Sequence, residues 1–301
     1  MQLVFLHQHK SYDANQLDNP KHFEVIGAKH HYLSINNDEH IGVWTIPAAG
    51  AEEVENCNKI FCNSKTTILY LHGQTGHRGQ PNYRVEFYNL VTQLGFNVVT
   101  FDYRGFGDSV PTKDIPSINR TVEDTDFVYQ WILDNHINKG NSKDGKREIK
   151  NNIIIFGHSL GSAVAVHFLS RLPADSGTSL SPCGLILMSP FNNVRDEISH
   201  HIWTRPWSIL MPRFLFSWFF DPKKEVRFVP DALIQSINVP ILILHSHGDT
   251  VIDIDLARKL FASRSQSSHI KFVELLKSFG HSDLFKAEEF SNELNKISEN
   301  C

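Results

Sequence analysis

The pentapeptide Gly157-His158-Ser159-Leu160-Gly161 sits between an unbroken apolar run, Ile153-Ile154-Ile155-Phe156, and an alanine- and valine-rich stretch from Ser162 to Leu169. The first run reads as a strand buried on both faces, and the second as a buried helix. The chain must therefore turn sharply between them, with a serine at the apex. A G-x-S-x-G pattern in that setting is a nucleophile elbow. Its glycines leave room for a strained turn that pushes the Ser159 hydroxyl outward, and they let neighbouring backbone pass close by. The bare pattern recurs by chance, so the strand before it and the helix after it are what make the match specific.

The rest of the 301 residues alternates in the same way. His40 to Ile46 alternates apolar and polar side chains and is expected to pair with His31 to Ile35 as an antiparallel edge. Thr66 to Leu71, Asn97 to Phe101, Leu185 to Met188, Ile241 to Leu244 and Ile270 to Leu275 read as further strands. Helices are expected over Arg84 to Leu94, closed by Gly95, from Leu160, over Ile254 to Ala262, and from Ala287. Another is expected to start at Thr121, with Asp124 completing a capping box and Val128, Trp131 and Ile132 as its inner stripe. Lys139 to Glu148 reads as an exposed loop. The fold class is α/β: a mostly parallel central sheet with helices on both faces. One continuous series predicts a single domain over 1–301, with 1–35 as an N-terminal extension and edge strand.

One segment breaks the alternation. Residues 192–229 show no strand but crowd aromatic side chains, including Trp203, Trp207, Phe214 and Trp218, among Pro206, Pro212 and Pro222. The prolines forbid one uninterrupted helix. This segment is expected to be a helical cap insertion over the site, with Trp203, Trp207, Phe214 and Trp218 contacting substrate. Core-packing helices are the plainer alternative.

A serine hydroxyl needs a base to take its proton, and the base needs an orienting acid. The order serine, acid, histidine is expected for an elbow of this kind. Asp249 lies just past the Ile241 to Leu244 strand, at the carboxyl end where such sheets place catalytic groups. Its rival, Asp253, reads as the cap of the next helix. The base is assigned to His281, which follows the last strand with Gly280 freeing the loop. With 17 histidines in the chain, position must decide. His269 is at the wrong end of its strand, His245 and His247 read as packing or loop residues beside the acid, and His158 belongs to the elbow with its ring turned from the serine. Two amides are expected to receive the oxyanion, that of Leu160 and that of Gln74 in Leu71-His72-Gly73-Gln74-Thr75-Gly76, each worth about 3–4 kcal/mol.

A formal charge of −4 gives no electrostatic case for nucleic acid as a partner. His7-Gln8-His9 and His245-Ser246-His247 lack the spacing of a zinc site, and no G-x-G-x-x-G or P-loop follows the first strand, so neither metal nor cofactor is expected. Cys57, Cys62, Cys183 and Cys301 show no C-x-x-C pair and read as free or buried thiols, with a local Cys57–Cys62 bridge as the alternative in an oxidising compartment. The sequon Asn119-Arg120-Thr121 reads as accidental. No run approaches the roughly 20 apolar residues of a membrane span, and Met1 to Leu6 does not form a signal peptide.

Taken together, Tyr70-Leu71-His72-Gly73-Gln74-Thr75-Gly76-His77-Arg78-Gly79, Arg84-Val85-Glu86 and Phe101-Asp102-Tyr103-Arg104-Gly105-Phe106-Gly107-Asp108-Ser109 resemble the lysophosphatidylserine and monoacylglycerol lipases of the α/β-hydrolase-domain group. Ile41-Gly42-Val43-Trp44, Ser189-Pro190-Phe191-Asn192-Asn193 and Pro240-Ile241-Leu242-Ile243-Leu244-His245 extend the resemblance over roughly residues 20 to 290. It implies the α/β-hydrolase fold and hydrolysis of lysophospholipid or monoacylglycerol acyl esters. It also implies peripheral membrane contact and a location at the endoplasmic reticulum membrane if an anchor precedes this chain, with the cytoplasm as the alternative. A peptidase or amidase would use the same triad, and a non-catalytic binding protein would keep the fold.

Overall fold

A computed structural model describes residues 16–51, 60–61, 63, 65–110, 117–136, 151–173, 181–194, 196–197, 229–264, 269–275 and 278–301. The expected cap residues Trp203, Trp207, Phe214 and Trp218, the cysteines Cys57 and Cys62, and the loop Lys139 to Glu148 lie outside the described residues.

Eight strands form one sheet: β1 (Lys29–Ser34), β2 (His40–Ile46), β3 (Thr67–Leu71), β4 (Asn97–Phe101), β5 (Ile153–His158), β6 (Gly184–Met188), β7 (Ile241–Ser246) and β8 (Ile270–Leu275). Their order is β1-β2-β4-β3-β5-β6-β7-β8. β2 runs antiparallel to both β1 and β4, and the remaining pairs are parallel. The principal helices are α1 (Arg84–Gln93), α2 (Ile118–His136), α3 (Leu160–Leu169), α4 (Ile254–Ala262) and α5 (Glu288–Ser298).

The continuous apolar runs follow from burial on both faces. Leu69, Leu71, Ile153, Ile155, Leu185, Leu187, Ile241 and Ile243 pack on one side with residues of α2, α3 and α4. Their alternate neighbours Ile68, Tyr70, Ile154, Phe156, Ile186, Met188, Leu242 and Leu244 pack on the other side with α1 and α5. Each fully buried side chain of this size contributes roughly 1.5–3 kcal/mol relative to exposure, so no position in these runs is left for a polar residue.

Two expectations are corrected. α2 begins at Ile118, not at Thr121. Thr121 is inside the helix, its hydroxyl donating to the Ile118 carbonyl at 2.9 Å. Asp124 caps nothing; it is buried and accepts from the Arg104 backbone N–H at 2.8 Å and from Arg104 Nε. A charge with a better partner in a neighbouring loop is drawn to that partner. The cysteines are also not all free thiols: Cys183 and Cys301 form a disulfide, with Cα atoms 5.1 Å apart. α5 lies over the start of β6, where Ile297 packs against Gly184, and this brings together two residues 118 positions apart.

The registers align the strand ends. Leu71 pairs with Gly157, Gly157 with Leu187, and Leu187 with Ile243. From β3 the chain moves to β4 on one side and later to β5 on the other, so the switch point lies between β3 and β5. A crevice opens at the carboxyl ends of such a pair of strands.

Candidate active site

Ser159 occupies that point, between β5 and α3, at φ 55° and ψ −119°. A non-glycine residue in this region stores on the order of 1–3 kcal/mol of backbone strain, and its surroundings must hold it there. Here the Ser159 N–H donates to the Met188 carbonyl at 2.9 Å. A Cβ at Gly161 would overlap the backbone oxygens of Leu71 and His72, and one at Gly157 would stand 2.5 Å from Gly161 O. Both glycines are therefore required by the closeness of β3, β5 and α3. The Leu160 amide heads the ten-residue α3, and the helix N-terminus favours negative charge there.

Asp249 lies just beyond β7 and is paired with His281. His281 Nδ1 is 2.8 Å from Asp249 Oδ2, with the carboxylate fully buried and the imidazole partly so. The other carboxylate oxygen accepts the backbone N–H groups of Val251 at 2.8 Å and Ile252 at 2.9 Å. Since the carboxylate can only accept, Nδ1 carries the proton and Nε2 keeps its lone pair. Burial opposes the charge on Asp249, but His281, His245 and the Ile252 amide outweigh it and hold the carboxyl below the usual range. His245 Nε2 stands 3.6 Å from the same carboxylate, and burial keeps that ring below the usual histidine range. Asp253 caps α4, accepting the Asp255 N–H at 2.9 Å.

The loop carrying His281 is held by its carbonyls. Ser246 Oγ, at the end of β7, donates to Phe279 O at 2.6 Å. His158 Nε2 reaches His281 O at 3.1 Å, and Ser189 Oγ donates to the same oxygen at 2.9 Å. His158 sits next to the serine in sequence, and its ring centroid is 5.1 Å from that of His281. Burial above all, with His281 adding, holds His158 well below the usual range, so it donates as a neutral ring. Ser189, at φ 50°, is the second strained non-glycine residue at the crevice. No hydrogen bond joins the Ser159 hydroxyl to the His281 imidazole among the described residues; such bonds commonly tighten only when substrate binds.

Gln74 lies in the loop after β3. The preceding glycine, Gly73, is pressed against the elbow: a Cβ on it would come 3.3 Å from Ser159 Cβ. Sequence reasoning did not single out Ser189 and Ser246, although each follows or ends a β strand at its carboxyl end, which is the available signal. It also passed over Glu197, whose carboxyl burial pushes up to about 7 against the pull of His281.

An elbow serine at the switch point of this sheet, with a histidine–aspartate pair on the loops after β8 and β7, defines an α/β-hydrolase. Known proteins narrow the class. A family model described as serine aminopeptidase, S33, matches residues 63–231. The lysophosphatidylserine lipase ABHD12 of Danio rerio is 38% identical over 282 residues, covering 88% of this chain and 68% of that protein. Its Mus musculus counterpart is 36% identical over 284 residues, covering 89% and 66%. Among solved structures, an alpha-beta hydrolase from Vibrio vulnificus superposes with a TM-score of 0.67 at 14% identity, covering 96% of this chain and 88% of that one. The Pyrococcus furiosus esterase Pf2001 gives 0.63 at 18%, covering 93% and 92%. These two likenesses concern the fold. The chain belongs to the ABHD12 family of α/β-hydrolase lipases and spans about two thirds of the length of the relatives it matches.

Proposed function

We propose that this chain cleaves the acyl ester of lysophospholipids, and of the related monoacylglycerols, through a covalent acyl-enzyme. Ser159 Oγ attacks the ester carbonyl carbon while His281 Nε2 takes its proton. Asp249 keeps the imidazole in the correct tautomer and stabilises the imidazolium. The Leu160 and Gln74 amides receive the oxyanion. The intermediate collapses, the departing alcohol takes the proton from His281, and water repeats the sequence to release the fatty acid.

The observation that carries this reading is the buried 2.8 Å Asp249–His281 pair at the same sheet edge as the Ser159 elbow. The substrate class is drawn from the relatives named for lysophosphatidylserine. The same reading takes 1–301 as one hydrolase domain, with 1–35 as extension and 192–229 as a cap whose Trp203, Trp207, Phe214 and Trp218 supply an apolar acyl pocket. It also places the protein at a membrane surface, at the endoplasmic reticulum, where its substrate resides. No helix among the described residues is long and apolar enough to cross a membrane.

The test is turnover of lysophosphatidylserine, monoacylglycerol and peptide anilides by the purified protein, with Ser159→Ala as control. Hydrolysis of the lipid esters that disappears in Ser159→Ala is expected. Turnover confined to peptide substrates overturns the lipid assignment in favour of a peptidase, and a wild-type protein that fails to react with a fluorophosphonate overturns the enzyme.

A further inference from the structure

Arg84 opens α1 and is completely buried. Its guanidinium forms no ion pair with a carboxylate among the described residues. Instead it grips one loop, the turn after β3. Nη1 donates to His77 O at 2.6 Å, and Nη2 donates to Thr75 O at 2.6 Å and to Gly73 O at 3.4 Å. The Tyr83 ring covers Cζ at 5.3 Å, and Nε has no hydrogen-bond partner among the described residues. Removing a guanidinium from water costs several kcal/mol, even after relaxation. Neutral carbonyls offset that cost less well than a carboxylate does. Such an arrangement is a poor way to stabilise a fold and a good way to impose a shape on a loop.

The shape imposed is that of the Gly73–Gln74 peptide. A second buried side chain converges on the same oxygen: His72 Nδ1 lies 2.7 Å from Gly73 O. Burial, with Arg84 adding, keeps the His72 ring well below the usual histidine range, so it is a neutral donor. In a trans peptide the carbonyl oxygen and the following N–H point to opposite sides. Two donors holding Gly73 O on the Arg84 side therefore turn the Gln74 N–H away from it. Hydrogen bonds to a carbonyl also polarise its own N–H, making it a stronger donor. Gly73 itself touches the elbow, with its Cβ position 3.3 Å from Ser159 Cβ.

We propose that Arg84, together with His72, is a positioning residue for acyl transfer: it aims and polarises the Gly73–Gln74 peptide so that the Gln74 N–H meets the developing oxyanion. This rests on the hydrolase reading above. An aimed amide acts on the transition state more than on bound substrate, so its loss falls on kcat and spares KM.

The experiment compares Arg84→Lys and Arg84→Met with wild type. It measures kcat and KM on a lysophospholipid, the inhibition constant of a long-chain trifluoromethyl ketone that forms a hemiketal oxyanion on the serine, and the melting temperature. For Arg84→Met a loss of about 10–100-fold in kcat is expected, with KM within twofold and inhibitor affinity falling by the same factor as kcat. Arg84→Lys keeps the charge but not the fork, so an intermediate loss in both quantities is expected. It also carries the test should the methionine variant fail to fold. A folded variant of either kind with wild-type kcat and wild-type inhibitor affinity overturns the proposal, as does a loss confined to KM. A wild-type protein that neither turns over esters nor binds the ketone is a different failure: it overturns the hydrolase reading, and the role of Arg84 falls with it.

Discussion

His281 Nδ1 donates to Asp249 Oδ2 across 2.8 Å, and the other oxygen of that carboxylate is already engaged by the Val251 and Ile252 amides. The carboxylate is thus fixed before it meets the ring. Asp249→Asn would keep the shape of the loop but allow the imidazole to carry its proton on the wrong nitrogen. A fall in kcat of about 10³–10⁴-fold is expected, with the protein still folded. Steady-state kinetics beside a circular dichroism spectrum checks this; a folded variant within tenfold of wild type removes Asp249 from its role.

Ser189 donates to the His281 carbonyl from the end of β6. Ser189→Ala leaves that oxygen, among the described residues, with His158 and costs about 1 kcal/mol in holding the loop. The expected outcome is a three- to tenfold lower kcat that worsens on warming, since the loop opens more readily. Rates measured between 10 and 37 °C decide it. A constant ratio of variant to wild type across that range argues that Ser189 does not restrain the loop.

The Cys183–Cys301 bridge closes a long segment of chain at the amino end of β6, the opposite end of the parallel strands from Ser159. Cross-links of that span stabilise by about 2–5 kcal/mol. Cys301→Ser, or reduction of the wild type, is expected to lower the melting temperature by several degrees while leaving kcat at 20 °C within twofold. Calorimetry with and without reductant provides the check, and an unchanged transition would contradict it.

His167 sits on α3, buried, and accepts the Val229 N–H at 3.2 Å. Burial, with Arg171 adding, lowers its pKa to about 4. In the unfolded chain the ring returns to about 6.5 and takes a proton first as pH falls. Its contribution to stability is therefore intact above pH 7 and is lost as pH drops from about 6.5 toward 4, by on the order of 3 kcal/mol. His167→Gln removes that loss. Urea unfolding at pH 7.5 and pH 5 should show wild type falling further than the variant; parallel declines would show that His167 is not the source.

The central strands were legible because burial on both faces demands unbroken apolar runs, and α3, which is just as apolar and buried, is marked as a helix by the elbow before it. Asp249 was separable from Asp253 because a carboxylate that starts a helix has a local task, and Asp253 performs it. The start of α2 was not legible: Thr121 and Asp124 match a cap locally, and only the approach of Arg104 shows where the carboxylate is used. The disulfide was not legible either, since no local pattern records that α5 returns over the start of β6. The supports of the base, Ser189, Ser246 and His158, are side chains donating to distant carbonyls, and a carbonyl leaves no trace in the identity of the residue that bears it.

The manner in which the His281 loop is fastened has a dynamic consequence. Ser246, His158 and Ser189 all fasten main-chain oxygens, and among the described residues the ring's hydrogen bond is to Asp249. The backbone serves as a bearing and the imidazole as the part that swings. Through a full cycle the ring can tilt from serine to departing alcohol to incoming water while its mounting stays still, so proton delivery requires no rearrangement of the surrounding sheet.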